Sequence, residues 1–142
     1  MQVKEVMSRR IIAISPEETV AVAARLLSQH NIGALPVCSR DGRLRGVLTD
    51  RDIVLRCLAL DNDPEDTRVS EVMSRAVVTA RPGDSVQSAA ALMAREQLRR
   101  LPVAENGRLV GMVSLGDVAV RPDYTMEAGE VLQEISQNIR RV

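Results

Sequence analysis

Aromatic side chains are almost missing from this chain: 142 residues contain no tryptophan, no phenylalanine and one tyrosine. Proteins that grip single-stranded nucleic acid stack its bases on aromatic rings, so that class is excluded. A basic surplus is missing too. Nineteen Lys and Arg balance nineteen Asp and Glu, whereas a generic DNA or RNA binder is strongly cationic. Two cysteines, Cys38 and Cys57, are too few for a disulfide-built secreted scaffold. Even with the lone His30 they do not make a four-ligand zinc site without acidic or intersubunit help, and they read as small packed hydrophobes. His30 has no serine or acidic neighbour in a triad-like pattern. No apolar run is long enough to span a membrane, and the length leaves no room for a catalytic barrel. Lys4 is the single lysine, and the arginines are scattered, which reads as codon bias rather than function. With no signal-like segment before the first motif, the expected location is the cytoplasm.

What is present is a repeat. Val3-Lys4-Glu5-Val6-Met7-Ser8-Arg9 returns as Val69-Ser70-Glu71-Val72-Met73-Ser74-Arg75, 66 residues later. Leu35-Pro36-Val37 meets Leu101-Pro102-Val103. After one residue drops out, Gly42-Arg43-Leu44 meets Gly107-Arg108-Leu109, and Asp52 meets Asp117. Residues 3–54 give 19 identities over 51 aligned positions. The chain therefore divides into a first repeat (1–60), a linker (61–68), a second repeat (69–121) and a tail (125–141). The linker is polar with one proline and reads as a solvated connector.

Each repeat has the same grammar. Arg10 to Ala13 and Val77 to Thr79 are short β-branched runs that predict strands. Thr19–His30 and Ser85–Glu96 carry apolar residues at helical spacing: Val20, Ala23, Ala24 and Leu27, then Val86, Ala89, Ala90 and Met93. Ser15 aligns with Arg81, which cannot cap a helix. Thr19 aligns with Ser85, and both can. Strands follow at Ala34–Cys38 and Arg100–Ala104, tight turns at Asp41-Gly42 and Asn106-Gly107, and strands again at Leu44–Leu48 and Leu109–Val113. Second helices are expected over Asp50–Ala59 and Leu115–Val120. The order is β-α-β-β-α, twice: an α+β fold.

About 55 residues with such short strands bury too little to stand alone, so the repeats must pack together. In the second helix Ile53, Val54, Leu55, Cys57, Leu58 and Leu60 leave little polar surface, so cover is needed on two faces. A homodimer through the helices is expected. In the tail Val131, Leu132, Ile135 and Ile139 recur at three- and four-residue steps, predicting an amphipathic helix over 125–141.

These units, with their Glu-Val-Met-Ser openings, Leu-Pro-Val strands and the run Gly46-Val47-Leu48-Thr49-Asp50-Arg51-Asp52-Ile53, resemble the CBS domain, named after cystathionine β-synthase. Gly111-Met112-Val113-Ser114-Leu115-Gly116-Asp117-Val118 stands in the same place in the second copy. The pair is similar to small stand-alone bacterial proteins of the general-stress and hypoxic-response type. The resemblance implies tandem repeats packed as a pseudo-twofold module, each with a three-stranded sheet and two helices. It implies clefts between the repeats that bind AMP, ADP, ATP or S-adenosylmethionine, with no cofactor required, no enzyme activity, and signalling to an unknown protein partner.

Carried over residue by residue, the family's Thr/Ser-x-x-Asp pattern gives Thr49 and Asp52 in one cleft and Ser114 and Asp117 in the other. The aspartates would accept from the ribose hydroxyls. The base would lie against Ile12, Ala13, Ile14, Gly33, Ala34 and Pro36, or against Val78, Thr79, Ala80, Arg99, Arg100 and Pro102. Arg51, or Arg99 and Arg100, would meet phosphate. Thr-x-x-Asp at a strand-to-helix junction is equally the signature of a capping box, which needs no ligand. Both readings stand at this level, as does a ligand-free structural dimer with vestigial clefts acting in stress response. If one cleft alone binds, the Asp117 cleft is favoured.

Overall fold

Polar backbone atoms at a helix start need partners, and in this chain those partners reveal how the repeats are assembled. The computed structural model of the chain describes residues 1–119, in two compact units. One is contiguous, Ile12–Val77. The other is split: Met1–Ile11 joins the described residues from Val78 onward. Each unit is thus closed by the opening segment of the other sequence repeat.

The contiguous unit holds α2 (Val20–His30), β1 (Ala34–Cys38), β2 (Leu44–Thr49), α3 (Asp50–Arg56), a 3-10 turn (Leu58–Leu60) and α4 (Val69–Val72). The split unit holds α1 (Val3–Val6), α5 (Val86–Glu96), β3 (Arg100–Glu105), β4 (Arg108–Ser114) and α6 (Leu115–Ala119). The predicted tail helix lies outside the described residues. Thr19 Oγ1 accepts from Val22 N–H at 3.3 Å and Ser85 Oγ from Ser88 N–H at 3.0 Å, so both expected caps are made.

The linker is exposed at most of its positions, yet its backbone also serves α2. Its carbonyls at Thr67 and Pro64 accept from the N–H groups of Val20 and Ala21, at 2.8 and 3.0 Å. Thr67 is buried and its hydroxyl donates to the Asp63 carbonyl at 2.8 Å. In the split unit Met1 does the same work, accepting from Val86 N–H at 3.0 Å. The docked linker covers Ala21, so the buried stripe of α2 runs through Val20, Ala21, Ala23 and Leu27 and leaves Ala24 exposed, against expectation. In α5 the predicted set of Val86, Ala89, Ala90 and Met93 is buried as it stands.

The sheets are two-stranded and antiparallel, β1 with β2 and β3 with β4, with register shifts between Val37 and Cys38 and between Val103 and Ala104. The strands expected over Arg10–Ala13 and Val77–Thr79 are not formed. A single parallel bridge replaces each one, from Ile14 to Val37 and from Ala80 to Val103. Ile12 and Val78 instead pack against the two cores, which takes their stretch out of the ladder. α3 also stops sooner than expected. Cys57 caps the helix at φ −119° and ψ −67°, Asn62 N–H donates to the Cys57 carbonyl at 3.0 Å, and the chain tightens into the 3-10 turn.

The opening segments close their units by a close backbone approach. Val47 and Ser74 exchange N–H···O bonds of 3.0 and 2.9 Å, and Ser8 and Met112 exchange bonds of 2.8 and 2.9 Å. The neighbouring glycines make room: a Cβ on Gly46 would stand 2.5 Å from the Ser74 carbonyl oxygen. Val69, Val72 and Met73 then enter the core with Leu35, Val37 and Leu48, as Val3 does with Leu101, Val103 and Val113.

Candidate functional site

Each hairpin ends where its last strand turns into a short helix, and the candidate residues gather there. In the contiguous unit Ala34 pairs with Thr49, so their side chains share a face of the sheet. Asp50 N–H donates to the Gly33 carbonyl at 3.0 Å and ties the start of β1 to the start of α3. Thr49 Oγ1 accepts from Asp52 N–H at 3.1 Å, and Asp52 Oδ2 accepts from Thr49 N–H at 3.0 Å. This is a complete capping box. The second oxygen of Asp52 lies 3.9 Å from Arg56 Nε, and Arg56 Nη1 also donates to the Val72 carbonyl at 3.3 Å.

The split unit repeats the geometry with different side chains. Arg100 pairs with Ser114, and Leu115 N–H donates to the Arg99 carbonyl at 2.9 Å. Ser114 Oγ accepts from Asp117 N–H, and Asp117 Oδ2 accepts from Ser114 N–H, both at 3.0 Å. Among the described residues the other oxygen of Asp117 has no partner, and neither do the guanidinium groups of Arg99 and Arg100. Both arginines are exposed.

Not every candidate joins this constellation. Ile14 and Ala80 flank the central strands: Ile14 N–H donates to the Pro36 carbonyl and Ala80 N–H to the Pro102 carbonyl, each at 3.0 Å. Those prolines are buried, and so are Ile14 and Ala80. Ile12 and Val78 are half-buried against the cores; Ala13 is exposed, while Thr79 is half-buried like Val78. Arg51 is exposed on α3. Asp50 and Arg56 were missed as candidates. Asp50 sits inside the same Thr-x-x-Asp run, and its carboxylate oxygens lie 3.5 and 3.9 Å from where a Cβ on Gly33 would be. An open hollow of about 290 Å³ lies elsewhere in the split unit, along α5 between Ala80, Asp84, Ser88, Leu92 and Arg95, and includes neither Ser114 nor Asp117.

No group of three or more His, Cys, Asp or Glu side chains among the described residues is placed to hold a metal ion. No described helix is long and apolar enough to cross a membrane. Burial pushes the Cys38 thiol up from its ordinary value, so it is a poor thiolate. His30 ends α2 in an exposed position.

Comparison with known proteins agrees with the repeat. The family model described as CBS domain matches residues 3–58 and again 69–124. A CBS domain-containing protein of Bacillus subtilis, YhcV, is 47% identical over 96% of this chain and 97% of its own length. Hypoxic response protein 1 of Mycobacterium tuberculosis is 37% identical over 82% of this chain and 81% of its own length. A solved structure of Hypoxic Response Protein I, with two coordinated zinc ions, superimposes with a TM-score of 0.78 at 36% identity, over 85% of this chain and 98% of that one. The CBS domain pair of protein MJ0100, solved with 5′-methylthioadenosine and S-adenosylmethionine, gives 0.73 at 30% identity, over 84% of this chain and 94% of that one.

Proposed function

The chain belongs to the CBS domain family, with two CBS repeats, and on that footing we propose that it is a regulatory module that binds an adenosyl ligand at Thr49–Asp52 and Ser114–Asp117. The observation that carries this reading is the division of labour between carboxylate oxygens. In both capping boxes one oxygen, Oδ2, serves the backbone. A carboxylate has about four acceptor positions, so the cap leaves capacity for the two hydroxyls of a ribose. Capping box and ribose site are therefore compatible uses of one side chain. Adenosyl ligands in the neighbouring MJ0100 pair support the ligand class. With no Phe, Trp or Tyr among the described residues, adenine would be held by aliphatic side chains and backbone groups.

Thermal shift across AMP, ADP, ATP, GTP and S-adenosylmethionine tests this. A ligand at 100 times its Kd stabilises by about 2.7 kcal/mol, several degrees for a chain of this size. Asp52→Asn and Asp117→Asn retain an oxygen for the cap but lose a carboxylate. Each is expected to keep the unliganded melting temperature within about 2 °C and to lose the part of the ligand shift that its own site supplies. No shift with any ligand at millimolar concentration overturns the proposal.

Signalling through a homodimer is part of the same proposal. Val54, Leu55, Leu58 and Leu60 are between 47% and 64% exposed along α3 and the following turn. A second copy offering the same four side chains across a twofold axis would cover them.

A further inference from the structure

We infer that the two half-sites select ligands by opposite charge: the split unit takes a phosphorylated adenosyl ligand, and the contiguous unit refuses phosphate and takes one that is uncharged or cationic beyond the ribose. This rests on the adenosyl reading above and adds what lies past the sugar.

The repeat alignment puts five equivalent positions around each aspartate. Gly33, Ala34, Asp50, Arg51 and Asp52 sum to a formal charge of minus one, and Arg99, Arg100, Leu115, Gly116 and Asp117 to plus one. The backbone makes these charges local to the site. Arg100 is the register partner of Ser114, so its side chain rises from the face that carries the Ser114 hydroxyl. Arg99 is bonded through its carbonyl to Leu115 N–H at 2.9 Å. No described carboxylate pairs with either guanidinium. Two arginines without a partner among the described residues, beside a polar cap, suit a phosphate, which arginine binds in bidentate fashion.

The contiguous unit turns this around. Where the Arg99 side chain leaves its backbone, Gly33 has none, and the Asp50 carboxylate lies over the vacant position. The Arg51 backbone N–H, at 2.8 Å from Asp50 Oδ1, holds the carboxylate there. Arg56 offsets Asp52 at 3.9 Å while also serving the Val72 carbonyl, and no described cation forms an ion pair with Asp50. A phosphate arriving beside Asp50 meets like charge. A cationic sulfonium or an uncharged thioether does not.

Titration calorimetry with ADP and with 5′-methylthioadenosine, which lacks phosphate, tests the assignment. The wild-type chain is expected to take one ADP, lost in Asp117→Asn and kept in Asp52→Asn. Replacing Arg99 and Arg100 together by alanine should weaken ADP tenfold or more and change 5′-methylthioadenosine less than twofold. Both side chains are exposed and have no partner among the described residues, so the fold is expected to survive their removal. Asp50→Asn should admit a second ADP. ADP affinity unchanged in the arginine variant, or ADP lost in Asp52→Asn and kept in Asp117→Asn, overturns the charge assignment while the adenosyl reading stands. If neither compound binds the wild-type chain this inference falls, and the adenosyl reading falls too when the thermal-shift panel is also silent.

Discussion

Gly46→Ala is expected to be among the most damaging single-methyl additions to this chain. The new Cβ would stand 2.5 Å from the Ser74 carbonyl oxygen and 3.0 Å from Met73 Sδ. The oxygen cannot retreat freely, because it accepts from Val47 N–H at 3.0 Å while Ser74 N–H donates back to the Val47 carbonyl at 2.9 Å. Overpacking at a tight site costs about 1–3 kcal/mol. Losing or stretching two backbone hydrogen bonds adds about 0.5–1.5 kcal/mol each. A total near 3 kcal/mol lowers the melting temperature by about 10 °C. Gly111→Ala is a close control. Its nearest neighbour is Met7 Sδ at 2.6 Å, the end of a flexible side chain, with the Ser8 carbonyl oxygen at 3.0 Å. The sulfur can swing aside, and a cost of about 1–2 kcal/mol is expected. Gly83 meets nothing within 4 Å, so Gly83→Ala should be neutral or slightly stabilising. Thermal unfolding of the four proteins by circular dichroism ranks them. The reasoning is refuted if Gly46→Ala melts within 2 °C of wild type, or above Gly111→Ala.

The two cysteines should differ in a thiol-modification assay. Cys57 is fully buried and its S–H donates to the Asn62 carbonyl at 3.4 Å, so it should react only on unfolding. Cys38 is half-buried with a raised pKa; less thiolate forms at a given alkaline pH, and its rate profile should be displaced upward in pH from that of a free thiol. Two native thiols reacting at the free rate would contradict this. Replacing Leu58 and Leu60 together by aspartate should halve the mass seen by light scattering and leave the fold intact, since both side chains are largely exposed. An unchanged mass would remove this face from the proposed interface.

The helices and hairpins were legible because their signals are local. Thr19 and Ser85 cap through their own hydroxyls, and the turn glycines Gly42 and Gly107 take φ of +83° and +79°, as turn chemistry demands. The failures arose where the outcome depends on a distant partner. The run Ile11-Ile12 has strand composition, yet Ile12 is used on the core and the bridge slips to Ile14. Nothing in the linker's composition shows that Thr67 and Pro64 will serve α2, because a carbonyl is common to every residue. The exchange of opening segments was hidden for a symmetrical reason. Both repeats carry the same Val-Met-Ser segment and the same glycine, so the sequence leaves open which segment lies on which hairpin. At the site, Thr-x-x-Asp revealed the residues but not how each carboxylate divides its oxygens between backbone and solvent.

The exchange also sets an order in time. Chains emerge from the ribosome N-terminus first, and domains fold as units as they appear. Every element of the contiguous unit lies between Ile12 and Val77, so it can close once that stretch is out. Met1–Ile11, made before it, have no place there. Val3 waits for Leu101, Val103 and Val113, some hundred residues later, and until then its apolar side chain stays in water. Met1–Ile11 is thus synthesised ahead of the contiguous unit and buried after it, and a chain halted after the first repeat would display this segment unprotected.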